Sequence, residues 1–123
     1  MGEQGDITVR RLRGGWTEQR TAEGYVLARH WPPRFDISAS ADLPDQRPAR
    51  LARQVRQDLW RALKTLRGFS PVVEIRFTKR GLTVTAGGRV EGRAPHGIES
   101  LIQAVLDDPA RRARWQSWAR RDA

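Results

Sequence analysis

The chain has 123 residues, no cysteine, 38% apolar and 30% charged residues. That is the size of one ordinary domain, able to bury a core without staples, and it excludes disulfides, thiolate zinc sites, iron–sulfur clusters and a cysteine nucleophile. The net charge is +9 and uneven: Met1–Asp45 holds six arginines against seven acids, a net −1, while Gln46–Ala123 holds seventeen lysines and arginines against seven acids, a net +10.

Met1–Asp6 is polar and acidic and lacks the apolar core of a signal peptide, so residues 1–5 are expected to be a frayed lead-in. Asp6–Leu12 alternates Ile7 and Val9 with polar residues and predicts a first strand, ended by Gly14-Gly15. Trp16–Gly24 is polar and has no clear period. Tyr25–Ala28 predicts a second strand, stopped by Trp31-Pro32-Pro33. Phe35–Ala39 alternates again and predicts a third, with Asp42–Gln46 as a loop.

Arg47–Arg67 predicts the longest helix. Pro48 suits a first turn, Asp45 is a candidate cap and Gly68 a left-handed stop. Leu51, Val55, Leu59, Leu63 and Leu66 form its apolar stripe. Pro71–Val90 predicts a hairpin turning at Lys79-Arg80-Gly81, with Val73, Ile75, Phe77, Leu82, Val84 and Ala86 on one face. Gly87–Gly97, rich in glycine, predicts a loop or a weak edge strand. Ile98–Leu106 is a second helix. Asp108 and Pro109 then cap and start a third, basic helix running to about Arg121. The expected fold is α+β: one compact domain over residues 1–123, with a small antiparallel sheet of four to five strands, one long helix and two C-terminal helices. The order is β-β-β-α-β-β-α-α.

Residues able to carry chemistry are few. His30 and His96 have no second ligand at metal spacing, and neither has a visible partner to orient it as an acid or base. Adjacent Asp107 and Asp108 read as helix-capping acids. Gly87–Arg93 is glycine-rich and basic but matches neither a P-loop nor a dinucleotide fingerprint. No enzyme, metal or cofactor is expected.

The informative feature is the outer face of the long helix. At about 100° per residue, the side opposite the leucines holds Arg50, Arg53, Arg56, Arg61, Lys64 and Arg67, with Trp60 at its centre. Trp60 has three readings: packing under another part of the domain, anchoring a protein partner, or stacking on a base while the arginines hold phosphates. The last helix repeats the theme, with Arg111, Arg112 and Arg114 around Trp115 and Trp118. Lys79 and Arg80 add charge at a hairpin tip able to enter a groove.

Of 23 basic residues, 21 are arginine, as a GC-rich, bacterial-like composition produces. That bias explains arginine in place of lysine but not the excess of positive charge. The expected function is nucleic-acid binding, to DNA or RNA, through Arg50, Arg53, Arg56, Trp60, Arg61, Lys64, Lys79, Arg80, Arg111, Arg112 and Arg114. The alternative is a protein-interaction module, an accessory, inhibitor or assembly subunit, that meets an acidic partner. No apolar run approaches the ~20 residues that span a bilayer, so no membrane role is expected. The missing cysteine points to the cytoplasm.

Overall fold

A computed structural model describes residues 7–121; the expected lead-in lies outside them. The strands are β1 (Thr8–Arg11), β2 (Thr17–Arg20), β3 (Gly24–Ala28), β4 (Ile37–Leu43), β5 (Ser70–Thr78) and β6 (Gly81–Arg89). The helices are α1 (Pro48–Leu63), α2 (Ile98–Asp107) and α3 (Pro109–Ala119). The α+β class is as expected. The sheet has six strands rather than four to five, in the order β1-β2-β3-β5-β6-β4, and every pair is antiparallel. The chain lays down a three-stranded meander and crosses to the far edge for β4. α1 brings it back, and the β5–β6 hairpin fills the gap between β3 and β4.

The additional strand is β2, in the polar stretch without a clear period. Its one buried position carries Glu18 instead of an apolar residue, and Arg20, on the same face, is exposed, so the period-2 signal is chemically inverted there. Glu18 is buried, accepts a 2.6 Å hydrogen bond from the Tyr25 hydroxyl, and pairs with Arg10 at 3.0 Å and Arg20 at 3.3 Å. A buried carboxylate is tolerable only with such partners.

β4 starts and ends later than the alternation predicted, taking in Asp42 and Leu43 from the expected loop. Its pairing with β6, from Ile37–Gly88 to Leu43–Leu82, sets those limits. Gly87 and Gly88 are not in a loop or edge strand; they sit inside β6, between β4 and β5. A Cβ on Gly87 would lie 2.0 Å from the Ile37 carbonyl oxygen, and one on Gly88 would lie 2.0 Å from that of Ser70. Close backbone approach, not flexibility, requires glycine here.

α1 buries Leu51, Ala52, Val55, Leu59 and Leu63 against the sheet, as its stripe predicts. It ends at Leu63 rather than Arg67, because the chain must turn through Gly68 (φ 67°) to set Phe69 and β5 in the core. Asp45 does not cap it; that carboxylate pairs with Arg121 at 2.8 Å. α2 lies along β4 and satisfies part of its free edge: Glu99 accepts from the Ser38 amide at 2.8 Å, and Gln103 donates to the Ser40 carbonyl at 2.9 Å. α3 starts as expected, with Asp108 accepting from the Arg111 amide. Trp115 and Trp118 do not share a fate: Trp115 is sealed in the core and Trp118 is 62% exposed. No helix among the described residues is long and apolar enough to cross a membrane.

The Glu18–Tyr25 pair gives the fold a pH signature. Burial alone would raise the Glu18 carboxyl, but the Tyr25 hydrogen bond and the charges of Arg20 and Arg10 hold it below its ordinary 4.5. Burial, then the Glu18 hydrogen bond and charge, raise Tyr25 well above its ordinary 10.0. The stability from Glu18 is therefore present above pH 4.5 and lost as pH falls through its lowered folded value. That from Tyr25 is present below pH 10.0 and lost as pH rises towards its raised value. Tyr25→Phe is expected to cost about 2 kcal/mol near neutrality. Melting temperature followed against pH should show a shallower loss at both ends in the variant.

Candidate functional site

Arg50, Arg53, Arg56 and Trp60 succeed one another at helical spacings of three, three and four, so they form one stripe along α1. Leu51, Val55 and Leu59 turn the other way into the core and fix that orientation. The stripe overlooks the loop ends of β2 and β3. There the Arg56 guanidinium lies over the Trp16 ring at 4.4 Å, and Arg29, just past β3, lies over the same ring at 5.9 Å. Arg53 and Arg13 border a neighbouring hollow with Leu12, Trp16, Leu27 and Arg56.

Trp60 is 48% exposed. Its ring runs parallel to that of Phe69, 9° between planes and 6.4 Å between centroids. Phe69 is itself buried, so it backs the indole and leaves roughly half of Trp60 open to solvent. Between Trp60 and Trp16 lies a cleft of about 480 Å³, lined also by Arg29, His30, Arg56, Gln57, Phe69, Ser70 and Pro71. That is within the ~300–1,000 Å³ of small-ligand sites. His30 is not partnerless: its Nδ1 lies 2.7 Å from the Ser70 hydroxyl, 40 residues away in sequence. No carboxylate orients that imidazole among the described residues, and no cluster of three or more His, Asp or Glu there would hold a metal ion.

The cations of the site lie close to one another. Among the described residues, Arg29, Arg53 and Arg56 have no carboxylate at ion-pair distance. Burial first, and then the charges of Arg53 and Arg29, hold the Arg56 guanidinium below its ordinary value. Arg50 has no such partner either. The other basic residues singled out from the sequence divide. Arg61 pairs with Asp58 at 3.3 Å and Arg114 with the same carboxylate; Arg111 pairs with Asp108 at 3.7 Å and Arg112 with Asp107 at 3.2 Å. Lys64 is exposed one turn beyond Trp60. Lys79 and Arg80 are exposed at the β5–β6 turn, beside Asp45 and Arg121. Ser70 and the cleft are at the opposite end of β5, which at ~3.4 Å per residue puts them about 27 Å away.

Thus the structure gathers Arg50, Arg53, Arg56 and Trp60 on one surface, separates the hairpin tip from the cleft, and engages the α3 arginines with the protein's own acids. Sequence reasoning missed Trp16, Arg29, Phe69 and Ser70, and set His30 aside for want of a visible partner. An indole after Gly14-Gly15 in a polar stretch was the one local hint. Neither a family model, nor a curated protein, nor a solved structure matches this chain.

Proposed function

We propose that this domain binds nucleic acid, DNA or RNA, in the cytoplasm, along the α1 stripe of Arg50, Arg53 and Arg56 continued by Arg29 and Arg13. It is a binding domain and not an enzyme. One observation carries the reading. Arg29, Arg53 and Arg56 crowd together without carboxylates, with Arg56 partly buried among them, whereas Arg61, Arg111, Arg112 and Arg114 each have one. Mutually repelling guanidiniums beside exposed aromatic surface are what a phosphate backbone neutralises. Lys79, Arg80 and Lys64 contribute long-range attraction rather than contacts at the cleft.

The test is fluorescence anisotropy of a labelled oligonucleotide against salt. With about four phosphates neutralised, affinity for a single strand is expected to fall roughly fiftyfold between ~50 and ~200 mM salt, at ~0.7 per contact on a log–log plot. Absence of binding at the lower salt would sink the proposal. It would favour the second reading, an acidic protein partner, which the 62% exposed Trp118 and 44% exposed Leu101 support.

A further inference from the structure

From the cleft between Trp60 and Trp16 we infer that the domain takes one unpaired nucleotide of a strand into it, and so selects single-stranded over duplex nucleic acid. This rests on the nucleic-acid reading above and adds what that reading leaves open, the form of the ligand. The two aromatic walls have different roles. Trp16 is occupied by the guanidiniums of Arg56 and Arg29, so it serves to hold those cations in place. Trp60 is supported by Phe69 on one side and open on the other, so it offers a base-sized apolar surface at the rim.

The base would lie against Trp60, and its phosphate would meet Arg56 and Arg29. The imidazole of His30 and the hydroxyl of Ser70, already hydrogen-bonded to each other, offer donor and acceptor capacity to the base edge or sugar. A base in a duplex is already stacked and paired, and reaching Trp60 would require flipping it out. A single strand presents its π-faces without that cost.

The experiment compares a labelled strand of about twelve deoxythymidines with a hairpin duplex carrying the same number of phosphates, on the full chain. The wild type is expected to bind the strand at least tenfold more tightly. Trp60→Ala should bring the strand down to the duplex level and leave duplex affinity within about twofold, while Trp60→Phe keeps most of the difference. Arg29→Ala, an exposed side chain on the other wall, should weaken the strand several-fold more than the duplex; it keeps the test open should Trp60→Ala fold poorly. Equal binding of strand and duplex by the wild type, or equal losses for both in the variants, would overturn the inference and leave nucleic-acid binding standing. No binding of either ligand would remove both. Thymidine monophosphate brings the same base and phosphate without flanking contacts and is expected to compete only weakly. Competition as strong as that of the strand would overturn the assignment and make this a mononucleotide site.

Discussion

Trp115→Ala is expected to destabilise the fold by about 4 kcal/mol, the middle of the range for a core aromatic. The indole is fully buried at the junction of α3 with α1, and its Nε1–H donates to Asp58 at 2.6 Å. Asp58 is also buried, and Arg114 and Arg61 complete its shell. Truncation removes the ring volume and also leaves the carboxylate one donor short. Trp115→Phe keeps most of the volume and should cost about 1–3 kcal/mol, the share of the lost hydrogen bond to a charged group. Urea unfolding of both variants and of Asp58→Ala, alone and combined, measures the coupling. If Trp115→Ala and Asp58→Ala add without interaction, the node does not hold α3 in place.

The second large effect concerns binding. Arg50→Gln, Arg53→Gln and Arg56→Gln together are expected to lower affinity for a single strand by roughly a hundredfold at ~50 mM salt and to flatten the salt slope by about 2. Glutamine retains part of the aliphatic stem, so the packing of Arg56 on Trp16 is not wholly lost. Thermal stability should hold or rise, because the crowding of Arg29, Arg53 and Arg56 is relieved. The contrasting pair, Arg111→Gln with Arg112→Gln, should change affinity by no more than about threefold, since Asp108 and Asp107 already engage those guanidiniums. Equal losses from the two sets would mean that total charge, and not the α1 stripe, governs binding.

What the sequence made legible follows from which residues face the core. α1 was readable because its leucines and valine repeat at helical spacing, and the same geometry put Arg50, Arg53, Arg56 and Trp60 on the other side. The β5–β6 hairpin was readable because Val73, Ile75, Leu82 and Val84 alternate. β2 was not, because its one buried position carries Glu18, made tolerable by Tyr25 and Arg10 from adjacent strands, where an apolar residue is expected. Gly87 and Gly88 read as slack, whereas the close approach of β4 and β5 on either side demands them.

The candidate site was half legible for a related reason. Its helix wall is one contiguous pattern. Its other wall is assembled from Trp16, Arg29, His30, Phe69 and Ser70, which only the sheet order brings together. The pairing of the α3 arginines with Asp58, Asp107 and Asp108 is also tertiary or depends on side-chain direction, so composition alone placed too much free charge on that helix.

The proposal locates binding on one side of α1, and indole proton signals read that location directly. In a two-dimensional NMR titration with an oligodeoxythymidine, the Trp60 and Trp16 Nε1–H signals and the backbone amides of residues 50–60 should move, with Trp115 and Trp118 unchanged. Movement centred on Trp118 and α3, with Trp60 still, would contradict it.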